Sequence, residues 1–256
     1  MNNGRFRIHI PNFILKAYQA INRKTVKFTN VSEDKIGDIK TKIIRGALPR
    51  SNYFLFLILS VLIASIGLIN NSAAVIIGAM LISPLMTPIF GASMGTVIGR
   101  STLLRDSLAS LFFGAFLAIG ASFILGIMPF TPLILTEEIL ARTSPNLFDM
   151  FIAALAGTAG CIALVDDSLG ESLPGVAIAT SLTPPLGVSG LCLAMGNFEY
   201  AYGAFLLFFT NFLVILLVSG LIFHFSGFGP KGNRREQWLR PQKPFWVTLA
   251  GIILVC

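Results

Sequence analysis

The sequence predicts an all-α polytopic membrane protein with two inverted-topology repeats of three transmembrane helices each, followed by part of a seventh apolar segment. Three observations predict this fold class. Of the 256 residues, 54% are hydrophobic and only 12% are charged, whereas soluble proteins carry about 25% charged residues. Apolar stretches near the length of about 20 residues that crosses a bilayer recur along the chain. A proline-containing motif occurs twice, in the second span of each half.

Residues 1–50 precede the first span and hold 11 of the 19 lysines and arginines. Within 13–28 and within 35–48, apolar side chains recur at helical spacing with basic residues between them. This pattern is typical of basic amphipathic helices at a membrane surface. We expect a cytoplasmic or interfacial region that faces anionic headgroups rather than nucleic acid. The alternative is the end of a soluble domain.

The first repeat covers residues 51–128, with spans predicted at 52–69, 73–98 and 103–127. Its middle span contains "GAMLISPLMTPIFG", in which Pro84 and Pro88 interrupt an apolar run. Proline removes a backbone donor and clashes with the carbonyl four residues earlier, so we predict that this middle helix is broken. A break inside a bilayer needs polar partners, and Ser83 and Thr87 are placed to supply them.

An external loop is predicted at 129–146, and the second repeat at 147–226, with spans at 147–165, 173–195 and 201–225. Its middle span contains "TSLTPPLG". We predict a second broken helix at Pro184 and Pro185, with the hydroxyls of Ser181 and Thr183 beside it.

Residues 227–256 form a basic loop and a final apolar piece at 245–256. That piece is about 18 Å long as a helix, which is too short for a hydrocarbon core of about 30 Å. We expect the natural chain to continue beyond Cys256, and the alternative is a half-span.

A shift of 101 residues relates the two proline motifs. Between 75–95 and 176–196 it aligns seven identical residues in 21 positions, including Pro84 with Pro185. Three spans per half is an odd number, so the second half would be upside down relative to the first. Paired interrupted spans in inverted repeats point to the binding site of many secondary transporters. The alternative is a duplicated structural bundle that transports nothing.

Charge predicts the orientation of the spans. Basic residues prefer the cytoplasmic side, which places the N-terminus, Arg100 and Arg105 inside. The loop with Glu137, Glu138 and Arg142 then falls outside. The acidic link at 166–171 would also lie inside, but acidic residues count little in this rule.

The motifs of common enzymes are absent from the sequence. It has two histidines, His9 and His224, and lacks a phosphate-binding loop, a dinucleotide fingerprint and a metalloprotease pair. Its three cysteines are scattered through apolar segments and indicate no metal cluster. We therefore expect no enzymatic activity, no cofactor and no metal centre. The predicted span interiors lack ionisable residues, which argues against a proton pump.

The candidate binding site lies at the two breaks, where hydroxyls and half-helix ends would hold a small solute or ion without a charged side chain. The alternative is that these residues only repair the backbone defects. The candidate residues are Ser83, Pro84, Thr87, Pro88, Ser181, Thr183, Pro184 and Pro185.

Gly91, Gly95 and Gly99 follow the first motif at four-residue spacing. Small residues at this spacing let helices approach closely. We predict that these glycines pack helices within a subunit or between subunits, and we expect a homo-oligomer in the lipid bilayer.

Two stretches, "AAVIIGAMLISPLMTPIFGASMG" at 73–95 and "GVAIATSLTPPLGVSGL" at 175–191, resemble the signatures of domain-of-unknown-function family 389, also called the uncharacterised hydrophobic domain. The resemblance covers roughly residues 45–225. It implies a prokaryotic inner-membrane protein that often carries an extra soluble domain, and it supplies no catalytic or ligand residues.

The leading functional hypothesis is a transporter or channel-like protein for a small solute or ion. The alternative is a non-transporting oligomeric scaffold or membrane sensor, in which glycine-lined spans pack subunits together and the basic N-terminal region binds lipid or a partner.

Overall fold

The computed structural model describes residues 33–132, 134–165 and 172–229, and side chains within 37–132, 134–164 and 182–229. These ranges contain helices, turns and bends but no strand, so the all-α prediction is confirmed there. The predicted amphipathic helix at 13–28, the acidic link at 166–171 and the seventh apolar segment at 245–256 lie outside the described residues.

The described part of the chain forms nine helices. In order they are α1 (Glu33–Ala47), α2 (Ser51–Ile69), α3 (Ala73–Met80), α4 (Met86–Ile98), α5 (Ser101–Gly126), α6 (Glu137–Leu140), α7 (Leu147–Val165), α8 (Ser172–Ala194) and α9 (Phe198–Phe225).

Four of these helices, α2, α5, α7 and α9, are long and apolar enough to cross a membrane. They correspond to the first and third predicted spans of each half. The predicted span at 73–98 consists of two shorter helices, α3 and α4, separated by residues 81–85. The predicted span at 173–195 is the single helix α8.

The predicted break of the second middle helix is wrong, because α8 continues through Pro184 and Pro185. Proline has a backbone angle that suits a helix, and its cost is a missing donor and a local clash. Surrounding helices make such a residue tolerable inside a membrane bundle. Residues 182–192 of α8 are all buried, so neighbouring helices enclose the stretch that contains both prolines.

The two proline-containing segments form the centre of the bundle. Residues 88–97 of α4 and 182–192 of α8 are buried throughout. The helices around them expose many large apolar side chains, such as Phe116, Phe151 and Leu155. This distribution suits a bundle whose outer surface faces lipid.

The glycines after the first motif divide into two groups. Gly91 lies against Ala47 and Ser107, and a side chain on Gly95 would come within 2.7 Å of the backbone nitrogen of Leu104. At these two glycines α4 lies close to its neighbours. Gly99 instead ends α4 with a positive φ of 72°, a conformation that glycine adopts without strain.

Helix α1 packs on the bundle through its apolar face. Ile39, Ile43 and Ala47 are buried, and the helix contacts α4, α5 and α7. The sequence predicts an amphipathic helix on the membrane surface, but protein rather than lipid covers this apolar face. Lys42 and Arg45 lie on the exposed face.

The predicted external loop is fastened to the end of α2. Thr136 Oγ1 donates a hydrogen bond to the Leu68 carbonyl at 2.7 Å, and the Glu138 amide donates to Asn71 Oδ1 at 3.1 Å. Ile139 is fully buried. It belongs to an apolar cluster that we call the Leu68 cluster, composed of Leu68, Ile76, Met80, Ile139, Val188, Leu191, Cys192, Ala201 and Ala204.

Candidate functional site

At the first proline motif the helix is interrupted between α3 and α4. The amide of Ile82 donates to the Ala79 carbonyl at 3.2 Å, and the amide of Ser83 donates to the Met80 carbonyl at 3.2 Å. Buried Ser60 on α2 also donates to the Ala79 carbonyl, at 2.8 Å. The end of α3 is therefore tied down by its own turn and by a hydroxyl from α2.

Thr87 serves the local backbone of the first motif. Its side-chain oxygen donates to the Pro84 carbonyl at 3.0 Å, and its amide donates to the same carbonyl at 3.3 Å. Pro84 is half-buried and Pro88 is buried. For Thr87, these contacts match the repair role that the sequence left open.

The second proline motif leaves a different defect, because its helix is continuous. Pro184 and Pro185 lie inside α8 and have no amide hydrogen, so neither can donate the usual helical hydrogen bond to the carbonyl four residues earlier. Both prolines are buried. The defect is the loss of these two helical donors.

The structure brings the two motifs into direct contact. Thr183 Oγ1 donates a hydrogen bond to Ser83 Oγ at 2.6 Å, across 100 residues of sequence. Thr183 is fully buried, and Ser83 is half-buried. Two residues predicted from separate motifs thus form one junction, which we call the Ser83–Thr183 junction.

The other candidate residues surround the junction to different degrees. Pro84 follows Ser83 in sequence, and Pro184 and Pro185 follow Thr183. Ser181 precedes Thr183 by two residues, and its side chain lies outside the described set.

The junction has no charge of its own. Among the described side chains, the buried polar ones are serines, threonines and Asn211, and no acidic or basic residue is buried. In the same part of the chain, no group of three or more metal-binding side chains occurs. The oxygen atoms described at the junction belong to hydroxyls and a backbone carbonyl, which are uncharged hydrogen-bonding groups.

Sequence reasoning missed two further groups of buried hydroxyls. The hydroxyl oxygens of Ser65 and Ser122 are 2.8 Å apart, and the Ser122 hydroxyl donates to the Gly187 carbonyl at 2.7 Å. The hydroxyl oxygens of Ser93 on α4 and Ser219 on α9 are also 2.8 Å apart. A serine within an apolar span is the available signal, but the sequence does not identify its partner.

Comparison with known proteins agrees with the sequence motifs. The family described as domain of unknown function (DUF389) matches residues 80–217, which is more than half of the chain and includes both proline motifs. The uncharacterised protein MJ0678 of Methanocaldococcus jannaschii is 30% identical over 201 residues. The alignment covers 78% of this chain and 60% of that protein. No solved structure matches significantly. On the strength of the family match, the chain belongs to the DUF389 family.

Proposed function

We propose that this protein is a transporter or channel-like protein for a small solute or ion in a prokaryotic inner membrane, with its binding site at the Ser83–Thr183 junction. The observation that carries the proposal is the hydrogen bond from Thr183 to Ser83. This bond joins the two proline motifs. The first motif interrupts the central helix of its half, and the second places two prolines within the central helix of the other half. Polar groups at such paired positions are typical of transporter sites.

The contacts between the two halves support an inverted repeat. Suppose that a two-fold axis relates each residue of the first half to the residue 101 positions later in the second half. A contact between the halves that lies on this axis is then related to itself. The Ser83–Thr183 contact maps onto Ile82 and Pro184, one residue away. The contact of Phe112 with Phe212, whose ring centroids are 5.9 Å apart, maps onto residues 111 and 213, again one residue away. Two contacts in different parts of the bundle thus fit one axis.

Packing within each half supports the same relation. Gly114 of α5 lies against Leu57 of α2, and Gly157 of α7 lies against Ile215 of α9. The separations in sequence are 57 and 58 residues, so the outer helices of each half meet at equivalent levels. The end of α2 and the beginning of α9 both contribute to the Leu68 cluster. Two halves that cross the membrane in opposite directions would bring these helix ends together.

The ends of the bundle differ in charge, which supports a cytoplasmic N-terminus. One end carries Arg45, Arg50, Arg100 and Arg105. The opposite end carries acidic residues and a single described arginine, namely Glu137, Glu138, Arg142, Asp149 and Glu199. By the preference of basic residues for the cytoplasmic side, the α1 end is inside and α6 is outside.

Equivalent positions in the two halves have different conformations. Residues 81–85 are interrupted, whereas the equivalent residues 182–186 are helical. In transporters with inverted repeats, alternating access arises when one repeat moves against the other around a fixed site. We infer that the two motifs exchange their conformations in the opposite state, while the junction stays on the axis. In the present state the Leu68 cluster and α6 close the outer end.

The alternative function is a non-transporting oligomeric scaffold or sensor. The direct contact between Ser83 and Thr183 also supports this alternative, because a hydrogen bond between the two motifs suits a static bundle. The two functions differ in one measurable property, because a scaffold moves no solute.

The test is solute flux in proteoliposomes that contain the purified chain. The probes are ²²Na⁺, ⁸⁶Rb⁺ and ³⁶Cl⁻ uptake, and swelling in urea and glycerol. We expect flux of at least one probe above that of protein-free liposomes. Combining Ser83→Ala with Thr183→Val should lower this flux roughly thirtyfold, because each lost hydrogen bond to the solute costs about 1 kcal/mol.

The matched control is Ser93→Ala, which removes a buried hydroxyl of the same kind between α4 and α9. Its flux should stay close to that of the unmodified chain. If the double variant transports as well as the control, the site assignment is wrong. If no probe crosses the proteoliposome membrane, the result favours the scaffold or sensor function.

A further inference from the structure

We propose that α1 exchanges between two binding sites, a groove on the bundle and an anionic lipid surface. The groove is formed by α4, α5 and α7, and we call it the α1 groove. Three observations carry the proposal: the two-sided character of α1, its position next to the first span, and a buried hydroxyl beside it that has no described partner. The proposal applies to a transporter and to a scaffold alike, because it involves no movement of solute.

Helix α1 has one apolar face and one polar face. Ile39, Ile43 and Ala47 recur every four residues and are buried, so they form a single stripe. The residues from 39 to 50 include no acidic residue, and the acidic residues of α1 all precede them. The basic residues of this stretch are Lys40, Lys42, Arg45 and Arg50. An apolar stripe with basic residues beside it is the pattern that binds an anionic membrane surface.

Helix α1 lies within reach of lipid headgroups. Ala47 at its end has its carbonyl oxygen 3.5 Å from the Ser110 hydroxyl of α5. Helix α5 has 26 residues, so it is about 39 Å long and exceeds the hydrocarbon core of about 30 Å. Its first turns carry the exposed Arg105, which favours an excess length on the headgroup side. Residues 48–50 connect α1 to α2 and span about 10 Å when extended, which allows α1 to leave the groove.

The α1 groove leaves one buried polar group unsatisfied. Ala47 and the Ser107 hydroxyl both lie against Gly91, and Ser107 is fully buried. Within the part of the chain that the structure describes, this hydroxyl has no hydrogen-bond partner. A buried hydroxyl without a partner disfavours the docked arrangement. Release of α1 uncovers the hydroxyl, and water or headgroups then bond to it.

The charge of the lipid decides between the two sites. The apolar stripe gains little from either choice, because lipid tails are as apolar as a protein interior. Each basic residue near an anionic surface strengthens membrane binding roughly fivefold. Helix α1 therefore stays in its groove in neutral lipid and moves to the surface in anionic lipid.

Release of α1 affects the helix that follows the first proline motif. Gly46 lies beside the side chain of Thr87, in the first turn of α4. Ile39 and Ile43 belong to the same buried cluster as Leu85, which is the last residue of the interruption. Docked α1 thus supports the beginning of α4, and anionic lipid removes that support.

Disulfide trapping between α1 and α4 measures the docked fraction. A Cβ atom at Gly46 would lie 3.4 Å from the Cβ atom of Thr87, close to the separation in a disulfide. The pair Gly46→Cys with Thr87→Cys, in a chain whose natural cysteines are replaced by alanine, should therefore cross-link only while α1 is docked. Mass spectrometry measures the rate of cross-linking in nanodiscs of phosphatidylcholine, which is neutral, and of phosphatidylglycerol, which is anionic.

We expect rapid cross-linking in phosphatidylcholine and a rate at least about fivefold lower in phosphatidylglycerol. Sodium chloride at about 0.5 M should restore the rate, because salt screens the attraction. Equal rates in the two lipids would overturn the proposal. A slow rate that salt does not restore, or no cross-link in phosphatidylcholine, would overturn it as well.

The matched control adds Arg45→Gln and Arg50→Gln to the cysteine pair. Both arginines are exposed, so their replacement keeps the apolar stripe and weakens only the attraction to anionic lipid. The control should cross-link almost equally fast in both lipids, which also shows that the chain stays folded in phosphatidylglycerol. If anionic lipid slows the control as much as the parent pair, charge is not the cause and the proposal is wrong. Solute flux plays no part in these measurements, so their outcome is separate from that of the transport test.

Discussion

At the scale of single residues, several hydroxyls within the spans form hydrogen bonds between helices. Ser60, Ser122 and Ser93 each bond to a partner on another helix. Such a bond contributes about 1 kcal/mol net, and removal of one partner leaves the other group buried and unpaired. These serines therefore help to determine which helices pack together, because a different pairing of helices would leave buried polar groups without partners.

The Ser60→Ala variant tests this role at the break. We expect it to lower the free energy of unfolding by about 1–2 kcal/mol, because the Ala79 carbonyl loses a buried donor at the end of α3. Reversible unfolding in mixed detergent measures the change.

Thr158→Val is the matched control, since the hydrogen bond that Thr158 makes within the described residues stays inside its own helix, to the Ala154 carbonyl at 2.8 Å. Its effect should stay below about 0.5 kcal/mol. Equal losses in the two variants would show that Ser60 has no special role at the break.

At the scale of elements, α1 and α8 show where sequence patterns have two structural solutions. The apolar stripe of α1 fits either a membrane surface or a protein groove. The structure uses the groove, because Gly91 and Gly46 remove the side chains that would hold α1 away from α4. Two adjacent prolines likewise suit a break or a continuous helix, and the pattern alone does not distinguish them.

Other features of the fold and the site could be predicted from the sequence. Length and hydropathy identify α2, α5, α7 and α9 as spans. The repeated proline motif predicts that Ser83 and Thr183 lie beside irregular backbone. The pairing of Ser65 with Ser122 could not be predicted, because it depends on helix rotation, which an almost uniformly apolar span does not encode.

Docking of α1 depends on close contact at Gly91. A side chain there would collide with Ala47, so we expect Gly91→Ala to loosen α1. Trypsin cleavage after Lys42 and Arg45 should then become about tenfold faster, because a loosened helix opens more often. Mass spectrometry of the fragments measures the rate.

Gly37→Ala is the control for this prediction, since a side chain at Gly37 meets nothing within 4 Å. Alanine also favours the helix by about 1 kcal/mol. Cleavage in this variant should be unchanged or slower. Faster cleavage in both variants would mean that the Gly91 contact does not retain α1.

At the scale of the whole molecule, the exchange of conformations that we propose between the two halves requires the end of the bundle at α6 to open. That end is closed where the Glu138 amide bonds to Asn71 and Ile139 fills the Leu68 cluster. A covalent link between α6 and the end of α2 should therefore stop transport without disturbing the junction.

The pair Asn71→Cys with Glu138→Cys supplies such a link after oxidation. We expect flux in proteoliposomes to fall by about tenfold on oxidation and to recover with a thiol reductant. Each single variant controls for the lost side chain, including the Glu138–Arg142 ion pair. Full flux through the oxidised double variant would show that this end does not need to open.

The contact between Ser83 and Thr183 also constrains how the chain enters the membrane during synthesis. Its two partners are separated by 100 residues, and ribosomes extend a chain by about 5–20 residues per second. Ser83 therefore waits roughly 5–20 s for Thr183 to be made, with an interrupted helix already in or near lipid. During that interval water, lipid headgroups or the insertion machinery must satisfy the open turn. A ribosome that stalls between the two motifs would leave the first half with its least lipid-compatible segment exposed.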